Sequence, residues 1–386
     1  MRIGVDIRAL MDKYYSGVSE YTANLLKSLL QIDKENQYKL FFNSWKPQLN
    51  RLGIWQGDNA QLYFSRYPNK IFNYLLQRFL KRPKLDKFIG GADIFWSPHF
   101  NFTKTSPEAR KVITIHDLSF LRYPEFFSVR KNFWHRALEI KKTIQEADLI
   151  VAISENTKND LIELLGVRME RIKVIYSGNN KFNNDFSDED RLTYLKKNNL
   201  KAPFILYLGT IEPRKNLVGL INAYNLFRGN NPGLANYRLV LAGANGWKNR
   251  EIYKAAKRSP YHKDIIFLGY VDQRDKEMLY KSARLFVFPS FYEGFGFPPL
   301  EVMSAGLPVV CSNVSSLPEV VADAAILVDP FNIPELASVI EEILVDEELR
   351  KGLTQKGLAR AQQFSWDKTA SAYLNAFKEL HHEKDK

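Results

Sequence analysis

Cysteine, long apolar runs and glycine-rich nucleotide-binding loops are scarce or missing in this chain of 386 residues. Cys311 is the only cysteine, which excludes an internal disulfide and any metal or redox site built on paired cysteines. It stands in a strand-like stretch, where we interpret it as a small core residue rather than a nucleophile. A chain with one thiol fits a reducing compartment, so we predict a cytoplasmic protein.

Other absences narrow the function. The longest apolar runs have the length of a strand and fall well short of the roughly 20 residues that a membrane-spanning helix needs. Residues 1–6 read directly into a strand, so we expect no secretory leader. The loop that follows lacks the GxGxxG pattern of a dinucleotide site, which argues against a dehydrogenase or an epimerase. A phosphorylase that uses pyridoxal phosphate is a further alternative, but the chain is short for one.

What the chain does contain is an alternation of strand and helix patterns along its whole length, which predicts parallel sheets covered by helices on both faces. In the first half we predict strands at Arg2–Ile7, Tyr38–Phe42, Ile94–Trp96, Lys111–Ile115, Leu149–Ile153 and Ile172–Ile175. In the second half we predict strands at Phe204–Gly209, Tyr237–Ala242, Ile265–Leu268, Leu285–Pro289, Val309–Cys311 and Ala325–Val328.

A polar, asparagine-rich stretch, Tyr176–Asp190, lies between the two halves and has the composition of a linker. We therefore predict an α/β fold with one Rossmann-like domain over residues 1–178, a second over 179–364, and a helix with a tail over 365–386. Doubly wound sheets bind ligands at the carboxyl ends of their strands, so we expect a site in the cleft between the domains.

The net charge of +12 is concentrated in the first half, where residues 1–180 hold 28 Lys and Arg against 18 Asp and Glu. Within it, Phe64–Phe88 interleaves seven basic residues with aromatic and leucine side chains. Such a stretch can lie on an anionic membrane surface, and an ordinary solvated helix face is an equally good interpretation. No nucleic-acid-binding motif accompanies it, so we predict no nucleic-acid partner.

The strongest functional signal is a strand–loop–helix corner in which Glu293 and Glu301 stand eight residues apart. Gly294 and Gly296 permit close backbone approaches, and free N–H groups in such a turn can face a phosphate. Two prolines then start a helix, whose N-terminus favours an anion. We expect Glu301 in the first turn of that helix, close to a ligand held at its start.

This pattern of two glutamates separated by seven residues, together with Ser315–Glu319, resembles the pattern in retaining GT-B glycosyltransferases of family 4. The resemblance extends over nearly the whole chain. The resemblance implies two Rossmann-like domains facing across a cleft, with the C-terminal helix crossing back to the N-terminal domain. The first domain would lie on the acceptor side and the second would bind the nucleotide sugar. Glu293 would contact the transferred sugar and Glu301 the ribose. Neighbouring donor contacts would come from Gly294, Phe295, Gly296 and Leu300.

A second signal follows the predicted strand at 204–209, where Lys215 matches the family's phosphate-binding lysine. The family often has Gly-Arg where this chain has Gly209 and Thr210, and we predict that Arg214 supplies the missing cation. Cations beside the departing pyrophosphate stabilise its growing negative charge. All four residues are predicted to contact the donor, and Arg214 and Lys215 are also predicted to be catalytic.

Weaker signals complete the predicted site. A buried strand delivers His116 to its carboxyl end, and the resemblance implies that this histidine lies beside the reacting sugar. Gly17, before a helix, resembles the family's glycine at the junction of donor and acceptor, and we predict that it contacts the donor. In the family, the segment at Tyr270 and Val271 lies against the nucleobase. His116 and Glu293 are thus predicted to be catalytic beside the two cations.

The resemblance favours mannosyl transfer from GDP-mannose to a saccharide or lipid-linked glycan, in polysaccharide or cell-envelope biosynthesis. We expect no cofactor and no metal ion, since no second His/Asp pair stands at ligand spacing. The protein would be cytoplasmic, with peripheral contact to the inner face of the cell membrane. The alternatives are a UDP-glucose or UDP-N-acetylglucosamine donor, or a non-catalytic membrane scaffold that keeps the fold.

Overall fold

Two parallel sheets organise the chain in this computed structural model, which describes residues 1–11, 17–45, 59–180 and 187–382. Part of the predicted linker, residues 181–186, and the tail from residue 383 lie outside the described residues. The first sheet has seven strands in the order β3-β2-β1-β4-β5-β6-β7. Their bounds are β1 Arg2–Asp6, β2 Gln37–Asn43, β3 Ala60–Ser65, β4 Ile94–Ser97, β5 Arg110–Ile115, β6 Leu149–Ala152 and β7 Ile172–Val174.

The second sheet has six strands in the order β10-β9-β8-β11-β12-β13. Their bounds are β8 Phe204–Leu208, β9 Arg238–Ala242, β10 Ile265–Gly269, β11 Ala283–Phe288, β12 Val309–Ser312 and β13 Ile326–Val328. All twelve predicted strands are present within two residues of their predicted ends. The prediction missed β3, an edge strand that is only partly buried and shows no clean alternation of apolar and polar residues.

Helices connect the strands and cover the sheets. In the first half they are α1 Gly17–Ile32, α2 Leu85–Phe88, α3 Ser119–Arg122, α4 Val129–Ala137, α5 Ile140–Gln145 and α6 Glu155–Leu165. In the second half they are α7 Asp188–Lys197, α8 Leu217–Asn230, α9 Arg250–Arg258, α10 Gln273–Ser282, α11 Phe297–Ser304, α12 Leu317–Val321, α13 Ile333–Val345, α14 Glu347–Ala361 and α15 Trp366–His382. A π-helix spans Ile71–Leu80.

The chain divides into two compact units, each built around one sheet. Unit 1 contains residues 1–118, 130–178 and 365–386, and unit 2 contains residues 119–129 and 179–364. The short segment 119–129, which the sequence places within the first 178 residues, thus groups with the second sheet. Among the described residues, no helix combines the length and the apolar character that crossing a bilayer requires.

The last helix, α15, belongs to unit 1, in agreement with the predicted return of the chain. Its apolar face, which includes Ala370, Tyr373 and Phe377, is fully buried. The Tyr373 hydroxyl lies 2.6 Å from Thr114 Oγ1 of β5 and 2.7 Å from the Tyr21 hydroxyl of α1. A helix from the end of the chain therefore completes the core of the first unit.

Candidate functional site

Apart from Gly17, the predicted donor residues stand in segments that follow the carboxyl ends of the strands of unit 2, where open parallel sheets bind ligands. The strand order reverses between β8 and β11, and this switch point is the preferred binding position in such sheets. Lys215 stands in the loop after β8, and Glu293 stands in the loop after β11. The topology alone thus brings together two stretches that are separated by 78 residues in the chain.

Close backbone packing joins the loops after β8 and β9. Ile211 N–H donates to the carbonyl of Ala244 at 2.9 Å, and Gly246 N–H donates to the carbonyl of Ile211 at 3.0 Å. A Cβ on Gly243 would lie 1.9 Å from the carbonyl oxygen of Gly209. Only glycine fits there, because the two backbones approach so closely.

Arg214, Lys215 and Glu293 form one buried ion cluster. Lys215 Nζ lies 2.6 Å from Glu293 Oε1, and Arg214 NH1 lies 3.0 Å from Glu293 Oε2. Arg214 also pairs with the buried Glu212, with NH2 2.9 Å from Oε1. The short helical turn Pro213–Lys215 lets both neighbouring cations reach the same carboxylate.

The charges of this cluster hold one another in the ionised state. Burial by itself raises the pKa of Glu293, but the charges of Arg214 and Lys215 outweigh it, so that the pKa lies below its ordinary value. Burial and the charge of Arg214 lower the pKa of Lys215, and Glu293 opposes them. The Lys215 ammonium also lies 5.0 Å from the centre of the Phe288 ring, a favourable cation–π distance. The cluster offers two cations to an anionic ligand.

The turn that carries Glu293 is fixed by hydrogen bonds from the start of α12. Glu293 N–H donates to Ser315 Oγ at 2.9 Å, while the Ser316 hydroxyl donates to the carbonyls of Glu293 and Phe295. Gly296 has a φ of 122°, and a Cβ there would lie 2.9 Å from Leu317 Cδ2. The backbone of this turn therefore depends on glycine.

Glu301 is the fifth residue of α11, so its predicted place in the first turn is wrong. The helix starts at Phe297, before the two prolines, and this puts Glu301 in the second turn. Its buried carboxylate accepts a hydrogen bond from the Tyr280 hydroxyl at 3.2 Å, and Lys276 Nζ lies 3.6 Å away. Asn180 Nδ2 donates to its other oxygen at 3.4 Å. The sequence alone does not identify these three partners, because they approach Glu301 only in the folded structure.

His116 follows β5 of unit 1, as predicted, and is partly buried. Its Nε2 lies 2.7 Å from the carbonyl of Pro98. A carbonyl only accepts, so Nε2 carries the proton and Nδ1 of the neutral ring is an acceptor. Burial lowers the pKa of His116, which keeps the ring neutral at pH 7. His116 can therefore accept a hydrogen bond from a sugar hydroxyl at Nδ1.

The switch point of unit 1, between β1 and β4, holds charged and polar residues that the sequence analysis did not select. The Asp6 carboxylate and the Arg8 guanidinium form a buried pair at 2.6 Å. His99 follows β4, and its Nδ1 is enclosed without a hydrogen-bond partner among the described residues. Burial lowers the pKa of His99 to about 4. The sequence signal that could have identified His99 is a single histidine shortly after a predicted strand.

The remaining predicted residues occupy varied positions. Gly17 opens α1 in unit 1 and is exposed. Thr210 and Tyr270 are exposed at the carboxyl edge of the second sheet, Gly209 is partly exposed, and Val271 is buried. Gly294 and Phe295 are buried in the turn, and the Leu300 side chain is fully buried within α11. In the described part of the chain, no group of three or more His, Cys, Asp or Glu side chains could hold a metal ion.

Comparisons with known proteins cover both halves. A family model described as "Glycosyltransferase Family 4" matches residues 15–180, and one described as "Glycosyl transferases group 1" matches residues 190–360. The O-antigen chain mannosyltransferase B of Escherichia coli is 34% identical over 379 residues, which cover 95% of this chain and 96% of that protein. A serotype-specific mannosyltransferase, WbdA of Escherichia coli, is 33% identical over 277 residues, covering 70% of this chain and 34% of that protein.

The fold has solved counterparts as well. Sucrose-phosphate synthase from Thermosynechococcus elongatus superposes with a TM-score of 0.75, 19% identity and 99% coverage of both chains. At that identity the likeness concerns the fold. Taken with the family matches and the full-length relative, it identifies the chain as a member of glycosyltransferase family 4, a hexosyltransferase with the GT-B fold.

Proposed function

We propose that the protein is a retaining, metal-independent hexosyltransferase that moves mannose from GDP-mannose to a saccharide or lipid-linked glycan during cell-envelope polysaccharide biosynthesis. The buried Arg214–Lys215–Glu293 cluster at the switch point of unit 2 carries the proposal, because it unites cations for a diphosphate with a carboxylate for a sugar. The choice of mannose rests on the O-antigen mannosyltransferase that is similar over 95% of the chain.

The reaction needs charge stabilisation more than a dedicated base. The bond between the sugar C1 and the phosphate oxygen breaks, and a new bond forms between C1 and the acceptor oxygen on the same face. The acceptor's proton passes to the departing phosphate oxygen. Arg214 and Lys215 stabilise the charge on the diphosphate as it leaves. Glu293 and His116 hold sugar hydroxyls, which fixes the orientation of C1.

Glu301 is assigned to the ribose of the nucleotide. Its buried carboxylate already accepts from the Tyr280 hydroxyl and stands near Lys276, so its orientation is set before a ligand binds. A carboxylate can accept hydrogen bonds from both hydroxyls of a ribose. The backbone from Gly294 to Gly296 would border the sugar and the phosphates, and Tyr270 and Val271 would border the base.

Thermal protection by nucleotides tests the donor assignment. A ligand that binds only the folded protein adds about 2.7 kcal/mol when present at about a hundred times its Kd. We expect GDP and GDP-mannose to raise the melting temperature more than UDP, ADP or their sugar conjugates. Glu301→Gln should reduce this protection, because the amide is a poorer acceptor for two ribose hydroxyls.

Glu251→Gln is a matched control, since this exposed glutamate of α9 pairs with Lys254 and lies outside the proposed site. Stronger protection by UDP compounds would contradict GDP-mannose and favour UDP-glucose or UDP-N-acetylglucosamine as the donor. If no nucleotide protects the wild-type protein, the non-catalytic scaffold becomes the better interpretation.

Peripheral membrane contact is the second part of the proposal, and an exposed apolar row on the π-helix supports it. Ile71, Leu75 and Phe79 recur every fourth residue and are exposed, Phe79 by 70%. Phe72, the residue after Ile71, is fully buried and anchors the helix in the core. Six basic residues stand within this helix or close to its ends in the sequence: Arg66, Lys70, Arg78, Lys81, Arg82 and Lys84. An exposed apolar row on a helix rich in nearby basic residues fits an anionic bilayer surface.

Vesicle binding tests this surface. Replacing Arg78, Lys81, Arg82 and Lys84 together with Gln should weaken binding to anionic vesicles at least about tenfold, since each cation near the surface contributes ~1 kcal/mol. The loss should shrink at high salt. Four basic residues of α9 offer a matched control for total charge: Arg250, Lys254, Lys257 and Arg258, likewise changed to Gln. If both quadruple variants bind the vesicles equally well, the proposed membrane contact of this surface is wrong.

A further inference from the structure

Residues 119–129, called the clasp here, are the only described segment within residues 1–178 that groups with unit 2. The clasp begins three residues after His116 and contains α3 and the short helical turn Pro124–Phe126. We propose that it positions the Glu293 turn for sugar transfer, so that Phe126 and Trp247 are positioning residues. This inference rests on the function proposed above and adds residues that it does not use.

The first attachment of the clasp is to the loop after β9. Trp247 Nε1 donates a hydrogen bond to the carbonyl of Phe126 at 2.6 Å, and Lys248 Nζ donates to the carbonyl of Glu125 at 2.7 Å. The rings of Trp247 and Phe127 stack with centroids 5.6 Å apart. Two directional bonds and a stacked pair fix the clasp backbone against this loop.

The second attachment is to the turn that carries Glu293. The Phe126 ring stacks on Phe291 with centroids 5.6 Å apart and an interplanar angle of 13°. Tyr123 meets Tyr292 at 5.8 Å in an edge-to-face arrangement. Phe291 and Tyr292 are the two residues directly before Glu293, so the clasp holds the approach to this carboxylate.

The same turn is bonded to the cation loop. Phe291 N–H donates to the carbonyl of Arg214 at 2.9 Å, and Arg214 NH1 donates to the carbonyl of Tyr292 at 2.6 Å. A shift of the turn would therefore change the positions of Arg214 and Glu293 together. Transfer depends on the placement of these groups to about 1 Å, and an error of that size can lower a rate about a hundredfold.

The loop after β9 reaches the cation loop as well. A Cβ on Gly246 would lie 2.8 Å from Thr210 Cγ2, which shows how tightly this loop packs on the one after β8. Trp247 is the next residue. The clasp thus contacts two loops, and both of them contact the loop that holds Arg214 and Lys215. This arrangement favours a role in setting site geometry over simple covering of the sheet.

Steady-state kinetics with the sugar donor tests the proposal. We expect Phe126→Ala to lower kcat/KM for the nucleotide sugar about tenfold or more, through lost orientation of Glu293 and Arg214. The Kd of the nucleoside diphosphate alone should rise by a smaller factor than kcat/KM falls, because Lys215 and the Glu301 carboxylate still contact the phosphates and the ribose. Phe126→Tyr keeps the ring and should restore the rate. Trp247→Phe keeps the stack with Phe127 but loses the hydrogen bond, so its kcat/KM should lie between those of the wild type and Phe126→Ala.

Phe133→Ala is the matched control, since this phenylalanine of α4 is 68% exposed and lies outside the clasp. A second readout needs no activity, namely hydrogen exchange at the Phe291 and Glu293 amides, which should accelerate in Phe126→Ala and not in the control. If the wild-type protein transferred no sugar, the proposed function would fail, while exchange would still test the clasp.

Two outcomes would contradict the proposed positioning role of the clasp. Unchanged exchange at the two amides would show that it does not hold the turn. A parallel loss of rate, diphosphate affinity and melting temperature in Phe126→Ala would assign the segment to general stability instead.

Discussion

Glu293→Gln is expected to lower kcat about a hundredfold while leaving the affinity for the nucleoside diphosphate equal or higher. Glutamine keeps the shape of the side chain and removes its charge. The Lys215 ammonium and the Arg214 guanidinium lose the carboxylate that they share at 2.6 and 3.0 Å. A bound diphosphate then no longer competes with the Glu293 carboxylate for these two cations, although Arg214 stays paired with Glu212.

This split between rate and affinity is what distinguishes a sugar-binding carboxylate from a structural one. Steady-state kinetics measures the first quantity, and calorimetric titration with the diphosphate measures the second. Glu251→Gln on α9 is again the matched control and should leave both unchanged. If the kcat of Glu293→Gln is within about threefold of the wild-type value, the Glu293 carboxylate has no catalytic role.

Arg8→Met is expected to lower the stability of unit 1 by about 3–5 kcal/mol, because it leaves the buried Asp6 carboxylate without its cation. Arg8 is also bonded to the carbonyl of Phe102, to Thr103 and to Asn73, each at 2.9 Å. For a unit of this size the loss corresponds to a fall in melting temperature on the order of 10 °C. Calorimetry that resolves separate transitions can assign the fall to unit 1.

Arg2→Met provides the comparison within the same strand region. The Arg2–Asp93 pair is equally short at 2.7 Å, but the arginine side chain is half exposed. Exposed pairs contribute at most about 1 kcal/mol. Similar losses from the two variants would contradict the claim that burial makes the Asp6–Arg8 pair critical.

The same pair predicts a pH dependence. Burial raises the pKa of Asp6, but the charge and hydrogen bonds of Arg8 outweigh it and lower the pKa below the ordinary 3.8. A lowered carboxylate pKa stabilises the folded state above the unfolded value and loses that effect as the pH falls through the folded value. The stability gap between wild type and Asp6→Asn should therefore narrow below a pH of about 4.

The strands and the ion cluster differ in how far sequence could predict them. Buried parallel strands are continuous apolar runs, so their positions follow from the residues alone. Glu293 and Lys215 were predicted from a family pattern, whereas their direct pairing came from the fold. Two of the three partners of Glu301 come from α10, and no local pattern marks Tyr280 or Lys276 as members of the site.

The clasp shows a different limit of sequence analysis. Its aromatic residues, such as Phe126 and Phe127, look like ordinary core residues of the first half. Their ring contacts with Phe291 and Trp247 join stretches more than a hundred residues apart, and loop conformation decides them. The edge strand β3 was missed for a related reason, because partial burial weakens the alternation that identifies a strand.

The return of α15 to the first unit has a consequence for synthesis on the ribosome. Domains form as the nascent chain emerges, usually in order from the N-terminus. Here Tyr373 and Phe377 fill the core of unit 1, although they are translated only after every residue of unit 2. The first sheet therefore keeps an uncovered apolar surface until α15 leaves the exit tunnel, whereas unit 2 has all of its residues by position 364. The order in which the two units are translated is the reverse of the order in which they can be completed.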